Sequence, residues 1–177
     1  MDKYKLKFTR LQEEIIRFLM KKTGEEFSLR EIAKALKVSP TAISKAIKPL
    51  KKLITIKPSA MNISLTQINR NNPYIIQLKK IQNQKEILES NLINILKETF
   101  PGTTIILFGS YARGEDTINS DIDLAILGKE KIINLQEQEE YLERKINIQF
   151  YKNLDEIHKH LKENIYNGII LAGGIQL

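Results

Sequence analysis

Between Thr104 and Leu127 the chain reads TIILFGSYARGEDTINSDIDLAIL: two apolar, strand-length runs, a Gly-Ser turn between them, and two aspartates one residue apart. Side chains alternate along a strand, so Asp121 and Asp123 share one face while Ile122 and Leu124 turn to the other, toward a core. Two carboxylates side by side require a cation. Magnesium suits them, because it takes hard oxygen ligands and is commonly held by one or two carboxylates together with substrate phosphates. The first run, Thr104 to Phe108, ends at Gly109-Ser110, after which Tyr111-Ala112-Arg113 can begin a helix. Glycine lets a phosphate approach the backbone, and a helix start offers it unpaired N–H groups. The stretch is expected to hold a nucleoside triphosphate with a metal.

Gly109-Ser110, ten intervening residues and then Asp121-Ile122-Asp123, with Tyr111-Ala112-Arg113-Gly114 after the serine, resembles the minimal nucleotidyltransferases of the DNA polymerase β superfamily. The resemblance implies that Gly109 and Ser110 hold the triphosphate and that Asp121 and Asp123 carry the metals, Mg2+ with two ions allowed for. The substrate it implies is ATP or another NTP, and the activity is transfer of AMP to a hydroxyl with release of pyrophosphate. Arg113 has two readings: it steadies a phosphate, or it pairs with a neighbouring carboxylate, Glu115 or Asp116.

The family normally supplies a third carboxylate from the next core strand. That strand is expected at Lys145 to Tyr151, after a helical segment around Leu135 to Glu143, and the equivalent position is Asn147. An amide can ligate a metal or hydrogen bond, but it cannot remove a proton at neutral pH. Two functional classes therefore stand beside each other, a transferase and a nucleotide-sensing domain that has lost catalysis. A third class, an antitoxin-like partner of a helical toxin, shares the same motif.

Composition sharpens the division of the chain. Its net charge of +7 is uneven: residues 1–72 hold sixteen Lys or Arg against six Asp or Glu, and residues 73–177 hold twelve against fifteen. A basic segment joined to a mildly acidic one points to a polyanion-binding module fused to something else. The chain has no cysteine, which rules out disulfides and thiolate metal sites. Its apolar runs fall far short of the ~20 residues that cross a bilayer, and residues 1–3 lead into no signal-peptide core, so a cytoplasmic protein with no membrane partner is expected.

In the basic segment, Thr9 with Gln12 and Ser28 with Glu31 form capping-box patterns before two helical apolar repeats, and Ser39-Pro40 opens a third. The third helix should bury Ile43, Ala46, Ile47, Leu50 and Leu53 and show Thr41, Ser44, Lys45, Lys48, Lys51 and Lys52 outside. Pro49 should kink or end it at Lys48. Hydroxyls in the first turns followed by lysines suit base edges and then phosphates of duplex DNA, while a merely solvated face is the alternative. Leu53 to Pro58 and Asn62 to Thr66 alternate as a two-stranded wing around residues 59–61.

The whole is expected to be an α/β (α+β) chain. Residues 1–72 form a winged helix-turn-helix, 73–85 a helical linker, and 86–177 a small mixed-sheet nucleotidyltransferase domain with flanking helices. Over nearly its full length it is similar to prokaryotic nucleotidyltransferase-domain transcriptional regulators. The apolar stripe of the 74–100 region, read as two helices, is either core or the seam of a homodimer. A further helix is expected at Leu154 to Leu161, a short apolar segment at Asn167 to Leu171, and a frayed end at Gly173-Gly174. His158 and His160 are expected to be surface residues. A protein acceptor or a toxin completes the expected partners.

Overall fold

The computed structural model describes residues 8–58 and 63–175, which divide after Ile75 into two compact units. In the first, helices α1 (Arg10–Lys21), α2 (Leu29–Ala35) and α3 (Pro40–Ile47) pack on an antiparallel sheet ordered β1 (Phe27–Ser28), β3 (Ser64–Ile68), β2 (Ile54–Pro58). Both capping boxes form, with Thr9 and Gln12 satisfying each other's backbone N–H, and likewise Ser28 and Glu31. Ser39 caps α3 with Pro40 in its first turn, and Pro49 ends the α-helix at Ile47, after which Lys48–Leu50 tighten into a 3-10 turn. Ile43, Ile47, Leu50 and Leu53 are buried; Ala46 is half-buried. The second wing strand starts two residues later than its alternation suggests, pairing Pro58 with Ser64 and Ile54 with Ile68. The turn expected at 59–61 lies outside the described residues. Strand β1 adds a third member to the wing, which the sequence did not announce, because it is only two residues long.

In the second unit, a sheet ordered β6 (Ile146–Tyr151), β5 (Ile122–Leu127), β4 (Thr104–Phe108), β7 (Ile169–Ala172) mixes one parallel pair, β5 with β6, and two antiparallel ones. Ile122, Leu124 and Ile126 point to one face, where they meet residues of α4 (Pro73–Glu89), α5 (Leu92–Thr99) and α7 (Gln136–Leu142). Ile122 and Leu124 are fully buried, each contributing roughly 1.5–3 kcal/mol of burial. On the other face Ile106, Phe108 and Ala125 pack with Ile165 of α8 (Lys159–Tyr166). The division of the chain falls inside α4, one continuous helix to Glu89 whose Lys79, Asn83 and Ile87 are buried in the second unit. It breaks from α5 at Asn91, whose φ of 61° is left-handed.

Two tail expectations are corrected. The helix expected at Leu154 to Leu161 is a 3-10 turn, Leu154–Glu156, followed by α8 some residues later. Asn153 caps the turn by accepting from Asp155 and Glu156, and Ile157 is extended. Gly173-Gly174 is not frayed. The Thr104 hydroxyl donates to the Gly174 carbonyl at 2.7 Å, and a Cβ at Gly173 would meet the Thr103 carbonyl oxygen at 2.7 Å, so the strand end is packed on β4. Both histidines are exposed, as expected.

Candidate active site

Strand β4 hands directly into α6 (Gly109–Arg113), and Phe108 lies beside Asp123 in the antiparallel ladder with β5. Gly109 is therefore brought against the Asp123 carboxylate. A Cβ there would stand 2.5 Å from Asp123 Oδ2, and the residue's φ of 77° is left-handed. Glycine is required twice over, by conformation and by space. Asp123 is half-buried, whereas Asp121, just before the strand, is exposed.

The parallel pairing with β6 sets Asn147, the position that the resemblance gives for the third carboxylate, opposite Asp123. Its Nδ2 donates to Asp121 Oδ2 at 3.0 Å, and it also hydrogen bonds to Asp123. One amide thus touches both aspartates. Burial pushes the Asp123 carboxyl above the ordinary carboxylate value; the Asn147 hydrogen bond pulls it down, and the Asp121 charge pushes it up. Gly109, Asp121, Asp123 and Asn147 are accordingly gathered at one end of the sheet, and half-buried Ser110 follows Gly109 in the first turn of α6.

Arg113 sits at the other end of α6. Its Nε donates to Glu115 Oε2 at 2.7 Å, and its Nη1 donates to Asn164 Oδ1 at 3.3 Å. Of its two sequence readings, the carboxylate pairing is the one present, with Glu115 as the partner and not Asp116.

Asp116 has a different role, and sequence reasoning missed it. It is 1% exposed and receives Lys79 Nζ on Oδ2 at 3.0 Å and Asn83 Nδ2 on Oδ1 at 2.8 Å, with Arg144 Nη2 3.8 Å away. Asn83 also donates to the Tyr111 carbonyl at 2.9 Å. Gly114 completes the joint, since a Cβ there would collide with the Ile76 carbonyl oxygen of α4. The loop leading to Asp121, the start of β6 before Asn147, and α6 behind Ser110 are thereby tied to one buried carboxylate. The available signal was a lysine and an asparagine four apart on a helix of mixed polarity, which share a face.

A cleft of about 950 Å³ adjoins this end of the sheet. Asn119, Ser120 and Asp121 form one wall, and Glu139, Lys145 and Ile146 belong to another; Gly109, Ser110 and Asp123 do not line it. Asp121 is thus shared by the acidic pair and the cleft. Lys145 donates to Glu139 Oε2 at 2.9 Å, and that pairing raises its ammonium above the ordinary lysine value.

In the first unit, Thr41, Lys45, Lys48, Lys51 and Lys52 are exposed and Ser44 is half-buried. Helix α3 and the turn after it carry no acidic residue from Pro40 to Leu53.

The nucleotidyltransferase domain family matches residues 89–171, and an HTH domain family matches residues 11–67. Two proteins of Methanocaldococcus jannaschii, each described as a putative protein adenylyltransferase, are similar to the chain. One is 44% identical over 66 residues, covering 37% of this chain and 63% of the relative. The other is 39% identical over 74 residues, covering 41% of this chain and 85% of the relative. The protein adenylyltransferase MntA of Shewanella oneidensis is 36% identical over 52 residues, covering 29% of this chain and 37% of the relative. Among the described residues, no helix is long and apolar enough to cross a membrane.

Proposed function

The chain belongs to the nucleotidyltransferase-domain proteins of the DNA polymerase β superfamily, joined here to a helix-turn-helix domain, and on that premise we propose that it transfers AMP from ATP to a hydroxyl group while its basic domain binds duplex DNA. The observation that carries the reading is the convergence of Gly109, Asp121 and Asp123 at one end of the sheet. The two carboxylates fit a hard divalent ion: they are adjacent, like-charged and partly open, and their one shared donor, Asn147, is neutral. Magnesium held there would neutralise charge on the α-phosphate and on the departing pyrophosphate.

The chain's own residues account for the remainder. Asp121 and Asp123 position the ion, and Gly109 and Ser110 give the phosphates backbone N–H groups and a hydroxyl at close range. Arg113 belongs to the same nucleotide-binding set if it exchanges Glu115 for a phosphate oxygen, an exchange that costs little because the Arg113–Glu115 pair is exposed. The acceptor oxygen attacks the α-phosphorus as the bond to the β-phosphate oxygen breaks, and the acceptor proton leaves to solvent, since Asn147 cannot take it. The M. jannaschii relatives' descriptions as protein adenylyltransferases favour a protein hydroxyl as acceptor. Asp121, shared with the cleft, sets the side from which that acceptor arrives.

Thr41, Ser44 and Lys45 face base edges in this reading, and Lys48, Lys51 and Lys52 face phosphates; the stretch from Pro40 to Leu53, whose only charged residues are lysines, is what supports it. Asn147 favours a second reading, a domain that binds nucleotide without transferring it and so adjusts DNA binding. Incubation with α-labelled ATP, magnesium and cell extract separates the two. Label on an acceptor, lost in Asp121→Asn and Asp123→Asn, is the expected result; equal label with both variants would dismiss these aspartates as metal ligands.

A further inference from the structure

Resting on the nucleotide reading above, we propose that the site takes a single divalent ion, that this ion is completed by the nucleotide's own phosphates, and that Asn147 is the residue that excludes a second. Among the described residues no group of three or more His, Asp or Glu could hold a metal, so the protein offers two carboxylates and one amide. Two divalent ions about 3.5–4 Å apart, the usual spacing of two-metal sites, would have to share these two carboxylates, with no third protein carboxylate to hold the ion away from the phosphates. On the nucleotide reading the phosphates enter beside Gly109, which lies against the Asp123 carboxylate, and supply the oxygens for an ion placed between them and the aspartates.

Asn147 Nδ2 points its N–H at Asp121 Oδ2 from 3.0 Å, so a hydrogen-bond donor stands where a second cation would seek that oxygen. Rotating the amide would offer a neutral oxygen instead, which adds a ligand and no charge. Lys145, two residues before Asn147, is within electrostatic reach of Asp121 and already places positive charge nearby. With carboxylate oxygens alone the ion lacks most of its ligands, and magnesium gives up water reluctantly. Ion and nucleotide therefore enter together.

Manganese is the probe, because it takes the same oxygen ligands and its free form is read directly by electron paramagnetic resonance. The full chain is titrated with Mn2+, alone and with saturating non-hydrolysable ATP analogue. Wild type is expected to bind Mn2+ at least tenfold more tightly with the analogue, at one ion per chain. Asn147→Asp should take two ions per chain, and Asn147→Ala, which removes the amide without adding charge, should stay at one. Two ions in wild type, two in Asn147→Ala, or one in Asn147→Asp would each overturn the single-ion proposal while leaving the nucleotide site standing. Retention of Mn2+ that is unchanged by the analogue and unchanged in Asp121→Asn with Asp123→Asn would overturn both.

Discussion

Asp116 and the Asp121–Asp123 pair lie on the same stretch of chain and meet opposite conditions. Asp116 is buried and receives Lys79 and Asn83 directly, with Arg144 close by. Asp121 and Asp123 lie close enough for one charge to act on the other, and share one neutral amide donor. A carboxylate whose charge is met inside the protein serves the fold. A pair that shares only a neutral amide donor, with Lys145 as the positive charge nearby, fits the proposed role of receiving a cation.

The largest expected effect breaks the buried side of that contrast. Asp116→Ala removes the buried carboxylate that Lys79 Nζ meets at 3.0 Å and Arg144 Nη2 at 3.8 Å, and should cost about 3–5 kcal/mol in urea unfolding. A cost near zero would mean that the joint does not organise the second unit. The reverse should hold at the site: Asp121→Asn with Asp123→Asn should weaken magnesium-dependent nucleotide binding about a hundredfold, or roughly 2.7 kcal/mol, without lowering the unfolding midpoint.

Gly109→Ala tests the contact between the two strands. Its left-handed backbone alone should cost about 1–2 kcal/mol, and the new methyl must displace the Asp123 carboxylate. A Gly109→Ala protein that keeps both stability and nucleotide affinity would contradict the packing described. In the first unit, a salt titration of DNA binding should be steep, and each phosphate-contacting lysine removed from Lys48, Lys51 and Lys52 should flatten the slope by about 0.9. An unchanged slope would return those lysines to plain solvation.

The smallest effect is one of pH. Because burial raises the Asp123 carboxyl in the folded protein, the acid form favours folding: its contribution is complete below the ordinary carboxylate value and is lost as pH rises through the raised one. Asp123→Asn should therefore melt slightly higher than wild type at neutral pH without metal, and the gain should vanish in acid. A gain that persists at low pH would assign it to packing instead.

What the sequence made legible was local. Capping boxes at Thr9 and Ser28, the Ser39-Pro40 helix start, the break at Pro49 and the alternation through Asp121 and Asp123 each depend on neighbours a few residues apart. Asn147 was legible through the resemblance, which places a third carboxylate on the strand that follows, and the pairing of β5 with β6 sets it opposite Asp123. Asp116 was not legible, because its partners lie on α4 and beside β6, far away in the chain, and nothing near Asp116 marks it as buried. The end of the chain was misread for a similar reason: the Thr104 hydroxyl that holds Gly174 belongs to the opposite end of the domain's sequence.

The most direct test of the account is a titration of the full chain with ATP analogue in the presence and in the absence of magnesium, for wild type and for the double variant Asp121→Asn, Asp123→Asn. Tight binding is expected only for wild type with magnesium. Equal affinity in all four conditions would contradict it, because the nucleotide would then be held without the two carboxylates on which the site is built.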